Sequence, residues 1–353
     1  IKKVIILSDI IKVHKMENQR RKFMKNSLKY TMGFSLASTI PSFIFSSCKQ
    51  KLKDLNLKIS LQAYSFAPLL MSGKFDIMDF PEIVRNTYGL NGAEYWSIAF
   101  MNKEKDKNFI SELNKKSEDL EISNTIILVD DINIQTMEQG PSLASLKKEE
   151  RTKAIEYHKH WIEVASKINC HSIRVNLKSD VGSEEDILET SGESISKLAE
   201  YGSSYGVSTI VENHGGLTGN AKWLVKLIKE INSDFVGTLP DFGNNGFCMK
   251  RERLDLSNLT KPCDQQYDKY EGVRELLPFA KGISAKSHEF DDKGNDINTD
   301  FEKMINIIKE SSYEGYIAIE YEGGMLNLFG GKGNYLAPHE GVIATKTLLE
   351  KLI

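Results

Sequence analysis

Eight short apolar runs punctuate the chain between residues 57 and 321, and helical spacing fills the stretches between them. The runs are LKISLQAYSF (57–66), NGAEYW (91–96), ISNTIILVD (122–130), HSIRVNL (171–177), VSTIVEN (207–213), FVGTLPD (235–241), GISAKSH (282–288) and YIAIEY (316–321). Each is rich in Ile, Val, Leu or aromatic residues and is bounded by Gly, Asn or charge, the pattern of parallel strands buried on both faces. The intervening segments read as helices. KFDIMDFPEIVRNTY precedes the second run, and KKEERTKAIEYHKHWIEVASKIN precedes the fourth, with Ile155, Trp161, Ile162, Ala165 and Ile168 near one apolar face. ESISKLAEYGSSYG, NAKWLVKLIKEINS and DFEKMINIIKESSYEG serve the later runs, and HEGVIATKTLLEKLI closes the chain. Eight strand–helix units predict an α/β fold, a (β/α)8 TIM barrel. The rival is a doubly wound sheet, but that fold normally carries a Gly-rich phosphate turn after its first strand, and SLQAYSFAPLL has none.

The chain has 353 residues, 40% of them hydrophobic, which is ample for one large core. Such barrels commonly run about 250 residues as one unit, so residues 57–353 are expected to form a single domain behind a polar linker at 49–56. Net charge is −3 with acids and bases interspersed, a pattern that argues against a nucleic-acid partner. The four cysteines (48, 170, 248 and 263) form no CxxC pair. Cys248 and Cys263 could pair within one loop, but the expectation is that they stay unpaired.

The N-terminal part reads as targeting sequence rather than fold. Residues 1–15 resemble sequence upstream of a start at Met16, and 1–48 as a whole are set aside as an export signal. Arg20-Arg21-Lys22-Phe23-Met24-Lys25 resembles a twin-arginine signal, and the apolar stretch Met32 to Phe45, interrupted by Gly33 and Pro41, is short for a membrane span. Phe45-Ser46-Ser47-Cys48 resembles a lipoprotein cleavage box, with Cys48 as the lipidated residue. The expected location is therefore periplasmic or membrane-anchored through Cys48.

Charge recurs at the ends of the last four runs. VSTIVENHGG ends on Glu212, Asn213 and His214, FVGTLPDFGNN on Asp241, KGISAKSHEFD carries Lys286 and His288, and GYIAIEYEGG ends on Glu320. Active sites of this architecture sit at the C-terminal ends of the strands. Carboxylates are costly to bury unless a partner neutralises them. A divalent cation shared by Glu212, Asp241, His288 and Glu320 would do so, and an oxygen-rich set suits Mn²⁺, Mg²⁺ or Co²⁺. One such residue alone would be an ordinary ion pair or cap; four strand ends together point to chemistry. Glu94, Arg174, Asn176 and Tyr64 occupy other strand ends, with Gln62 and Phe66, and are candidates to contact substrate. Glu94 could equally form a structural ion pair, and Trp96 could stack on a sugar or pack in the core. The long passages Asn244 to Lys281 and Glu322 to Glu340, the second a flexible Gly-rich stretch, would lie over the same face. The run DDKGND at 291 reads as a turn rather than a calcium loop.

From about Leu57 onward the chain resembles the xylose isomerase-like barrels, the sugar isomerase/epimerase superfamily that also includes endonuclease IV-like proteins. ENHGG, LPDFGN, SAKSHEFD and IEYEGG carry the resemblance. It implies that Glu212, Asp241 and Glu320 are metal ligands. Many members carry the strand-seven His where this chain has Ser284, so His288 and Lys286 share that role; period-two alternation puts all three on one side. Members often read Asp-x-x-His after strand six, whereas this chain has Asn244, a further candidate to contact substrate. With seven His in all, the multi-zinc site of the endonuclease-like members is not expected.

The resemblance also implies proton transfer next to a carbonyl on a small carbohydrate, through an enediolate that one divalent metal stabilises. Glu212 and Glu320 would serve as base and returning acid. Lys286 would stabilise an oxyanion or pair with a ligand carboxylate, and His214 would be a third proton-transfer group or a supporting residue. Two rivals stand beside this reading. One is a lyase acting on 3-oxo-glycosides, which shares the deprotonation and then eliminates the aglycone. The other is a non-catalytic carbohydrate-binding lipoprotein, against which three converging carboxylates argue. A homo-oligomer is compatible with either.

Overall fold

The computed structural model describes residues 56–133, 136, 138–178, 181–251 and 263–353. The twin-arginine-like motif and Cys48 lie outside the described residues. All eight runs form strands: β1 Leu57–Gln62, β2 Gly92–Trp96, β3 Ser123–Leu128, β4 Ser172–Val175, β5 Ser208–Glu212, β6 Val236–Leu239, β7 Ile283–Ser287 and β8 Gly315–Tyr321. They pair in parallel in the order β7-β8-β1-β2-β3-β4-β5-β6. Single parallel bridges Thr238↔Ala280 and Asp241↔Ser284 join β6 to β7 and close the cylinder. There the Ser284 N–H donates to the Pro240 carbonyl at 2.9 Å, and the Phe242 N–H donates to the Ser284 carbonyl at 3.1 Å. These bridges remove the free edges of the eight-stranded sheet.

Helices follow the strands: α1 Lys107–Asp119, α2 Lys148–Lys167, α3 Glu184–Ser203, α4 Ala221–Ile231, α5 Lys269–Leu276, α6 Phe301–Glu310, α7 Gly323–Leu328 and α8 Pro338–Leu352. Their apolar faces pack against the outward side chains of the strands, such as Ile173, Ile317 and Ile319, all fully buried. On β8, Tyr321 points outward and its hydroxyl donates to the Leu336 carbonyl at 2.9 Å. A side chain on Gly341 of α8 would put a Cβ 2.2 Å from the Tyr321 ring, so glycine is what lets that helix close on the strand.

Three local expectations change. The helix read into KFDIMDFPEIVRNTY is a run of mixed turns: 3₁₀ at Ile77–Asp79, α at Phe80–Glu82 and π at Ile83–Thr87. Pro81 supplies no N–H and disfavours a uniform ladder through this stretch. The Gly-rich passage after β8 contains a helix of its own, α7. Cys248 and Cys263, expected to be unpaired, form a disulfide with Cα atoms 5.6 Å apart. The cause is an antiparallel pairing of Cys248–Lys250 with Gln265–Gln266, which brings the two ends of the loop together.

Candidate active site

Parallel register converts strand order into side-chain proximity. Lys286 on β7 lies directly opposite Glu320 on β8, and Asp241, just past β6, bridges to Ser284 on β7. Glu212 closes β5. One oxygen from each of Glu212, Asp241 and Glu320 lies within 4.8 Å of the others, and all three side chains are buried. Acids far apart in sequence therefore converge on the barrel floor.

A cation already stands among them. The Lys286 ammonium is 3.2 Å from Asp241 Oδ2, 3.4 Å from Glu320 Oε1, 3.2 Å from Glu322 Oε1 and 4.0 Å from Glu212 Oε1. Burial opposes its charge, but the Asp241, Glu320, Glu322 and Glu212 carboxylates hold the lysine well above its usual range. The turn after β6 is fitted to this side chain. A Cβ on Gly243 would lie 2.8 Å from Lys286 Cδ and 2.8 Å from Asp241 Oδ1, and the Gly243 N–H donates to Asp241 Oδ1 at 2.7 Å.

A second cation flanks the first. Arg174, on β4, donates from Nη1 to Asp130 Oδ1 at 2.8 Å and sets its Nε 3.0 Å from Glu212 Oε2. Asp130 also accepts from Trp96 Nε1 at 2.9 Å and Asn176 Nδ2 at 3.1 Å. Burial works against the Asp130 charge, yet Arg174 holds its carboxyl well below the usual range.

The carboxylates differ in their hold on protons. Burial pushes Glu212 up to about 7, against the pull of Arg174 and Lys286. Burial also pushes Glu320 well above the carboxylate range despite Lys286, and the Ser284 hydroxyl donates to its Oε2. For Glu322 burial is outweighed by Lys286 and His288, which hold it well below the usual range. The arrangement thus sets one acid poised near neutrality beside a second whose carboxyl burial also raises.

Above this floor is a pocket lined by Tyr64, Trp96, Met325 and Phe329 on its apolar side, and by Arg174, Lys178, Glu212, His214, Glu320 and Glu322 on its polar side. Tyr64 and Trp96 meet edge to face with ring centroids 5.0 Å apart. Aromatic edges beside fixed charges suit a small polyhydroxylated ligand.

Of the residues singled out in the sequence, the floor gathers Glu212, Asp241, Glu320 and Lys286, and the wall takes Arg174, Tyr64 and His214. His288 stays outside the acidic group: its Nε2 is 3.3 Å from Glu322 Oε2, and its backbone N–H donates to Asp296 Oδ2 at 2.9 Å. Asn176 supports Asp130 rather than lining this pocket. Glu94 lies deeper in the barrel, fully buried, where the Ser60 hydroxyl donates to it at 3.3 Å. Asn244 is exposed on the loop, and its carbonyl accepts from Gln266 Nε2 at 2.9 Å. Asp130 and Glu322 were not among the expected site residues. Both had a signal: Asp130 ends the third apolar run, and Glu322 follows Glu320 by two residues, on the same side of an extended chain.

The spacing of Glu212, Asp241 and Glu320 is one that could hold a metal ion. With Lys286 in place, however, the site does not fit a divalent ion, because the ammonium already contacts the same carboxylates. The strand-seven donor nearest the acids is a neutral hydroxyl, Ser284, directed at Glu320.

Comparisons with known proteins agree with the fold. Comparison with curated proteins returned no match. Among solved structures the chain is similar to L-ribulose 3-epimerase (TM-score 0.60, 12% identity, covering 84% of this chain and 94% of that one). It is also similar to a D-tagatose 3-epimerase-like protein (TM-score 0.58, 16% identity, 84% and 96%). A third is the IOLI protein with a binding zinc atom (TM-score 0.56, 10% identity, 84% and 97%). At such identities the likeness speaks for the fold. Residues 86–342 match the family model for the xylose isomerase-like TIM barrel, and the chain belongs to that family.

Proposed function

We propose that this protein is a sugar isomerase or epimerase that moves a proton at a carbon next to a carbonyl. The observation that carries this reading is the pair Glu212 and Glu320, both buried at the floor of one pocket, with burial raising Glu212 to about 7 and Glu320 well above the usual carboxylate range. A general base works best near the ambient pH, and a partner that keeps its proton is a ready acid. Ionised Glu212 takes the proton from the carbon, and the bonding pair moves into the carbonyl to give an enediolate. Protonated Glu320 returns a proton to the other face, giving the epimer. Return to the neighbouring carbon, with the hydroxyl proton shifting between the two oxygens, gives the isomer. Arg174 and Lys286 are the cations beside these acids, and they offset the negative charge that grows in this step.

The epimerases among the structural neighbours support this substrate class. An ion such as Mn²⁺, Mg²⁺ or Co²⁺ is supported by the spacing of the acidic triad, which would accept it only with Lys286 withdrawn; no step above uses one. We further propose, on the Arg20-Arg21 motif and the segment ending at Cys48, that the barrel works outside the cytoplasm on free rather than phosphorylated sugars.

The test is incorporation of solvent deuterium into free ketoses, followed by NMR, with wild type and Glu320→Gln. Wild type should label the carbon next to the carbonyl, and the variant should lose at least about a thousandfold in turnover. Release of aglycone from a 3-oxo-glycoside without label in any ketose would make the protein a lyase instead. Unchanged turnover in Glu320→Gln would remove that residue from the mechanism.

A further inference from the structure

One of the structural neighbours is described with a binding zinc atom, and the acids that could hold an ion are present here. We propose that Lys286 is the resident cation of this site in place of a divalent metal ion, so that the protein needs no metal and binds none tightly. The proposal rests on the reading above only for what the site does, not for which cation fills it.

Four observations carry it. First, the ammonium lies 3.2 to 4.0 Å from four carboxylates. These are ion-pair distances for nitrogen, well beyond the about 2.0–2.1 Å at which Mg²⁺ meets oxygen. A divalent ion among the same oxygens would sit against a positive charge of its own sign.

Second, the lysine is built in rather than folded in by default. Its stem passes where a side chain on Gly243 would stand, and it enters from the C-terminal end of β7, opposite Glu320, where register fixes it. Third, the donors that would complete a metal shell are committed elsewhere. Ser284 gives its hydroxyl proton to Glu320, and His288 turns its Nε2 to Glu322. Asn244 is on the exposed loop, outside the pocket wall. Fourth, Glu322 adds a carboxylate that contacts both Lys286 and His288, so the lysine has a partner beyond the triad. A tethered ammonium supplies the neutralisation that buried acids require without depending on the metal supply around the protein.

The experiment is calorimetric titration of Mn²⁺ into chelator-treated full-length protein, for wild type, Lys286→Met and Lys286→Arg, with metal analysis of each as purified. Wild type and Lys286→Arg should contain well under 0.1 equivalent of divalent metal, on the order of background, and bind Mn²⁺ at least about 100-fold more weakly than Lys286→Met. Wild type that carries about one equivalent, or binds Mn²⁺ as tightly as Lys286→Met, overturns the proposal. If Lys286→Met does not fold, metal content and Mn²⁺ affinity of wild type decide alone. Activity separates the two readings. Turnover that survives the chelator supports both, and turnover lost to chelator and restored by Mn²⁺ overturns the lysine proposal while the isomerase reading stands. Wild type that binds no Mn²⁺ and turns over no sugar leaves the lysine proposal standing and removes the isomerase reading.

Discussion

Replacing Glu94 by Gln should make the barrel more stable at neutral pH, and the gain should grow with pH. Glu94 is fully buried, and burial pushes its carboxyl from 4.5 up to about 8. The Ser60 hydroxyl donates to it at 3.3 Å, which does not offset that burial. The folded state therefore binds a proton that the unfolded chain releases above about 4.5. A raised carboxylate contributes no penalty below that value and costs stability progressively as pH climbs toward 8. At about 1.36 kcal/mol per pH step, that cost is about 3 kcal/mol at pH 7 and levels off near about 5 kcal/mol above pH 8. Gln keeps the shape of the protonated acid and titrates nowhere in this range, so the variant escapes the cost. Denaturant unfolding of wild type and Glu94→Gln from pH 5 to 9 measures the difference directly, because the other buried acids contribute to both proteins. The two stabilities should be close at pH 5 and diverge by about 3 kcal/mol at pH 7. Parallel curves, with no divergence, would show that Glu94 is either solvated or already neutralised, and the reasoning from its burial would fail.

Other outcomes follow from the same geometry. With burial raising Glu212 to about 7, kcat/KM should rise as pH passes through that value, since the ionised form is the base; a flat profile from pH 5 to 9 would remove Glu212 from that role. Cys248→Ser with Cys263→Ser opens a loop of 15 residues and should lower stability by about 3 kcal/mol in a denaturant melt, with an unchanged midpoint as the contrary result. Gly243→Ala brings a methyl within 2.8 Å of both Lys286 Cδ and Asp241 Oδ1; it should reduce kcat at least about tenfold while circular dichroism stays that of wild type. Undiminished kcat would show that the turn does not position the lysine.

The fold was legible because a closed parallel barrel buries its strands on both faces, so each strand had to be a continuous apolar run. All eight runs therefore coincide with strands, from Leu57–Gln62 to Gly315–Tyr321. The convergence of Glu212, Asp241 and Glu320 was legible for the same reason, since every active-site residue must come from a strand end. Legibility stopped where direction rather than position matters. Period-two alternation put Ser284, Lys286 and His288 on one side of β7, but could not tell which of them the acids face. That depends on register with β8, which sets Lys286 opposite Glu320, and on the turn at Gly243, whose missing side chain leaves room for the lysine stem. The Cys248–Cys263 pair escaped for a related reason, because it depends on a two-strand pairing too short to have a pattern of its own. A lysine on a buried strand reads, from sequence, as an expense with no visible return. Its reason appears only when four carboxylates from three other places in the chain are set around it. Glu322, two residues past Glu320 and absent from the expected set, is the acid that completes the ring.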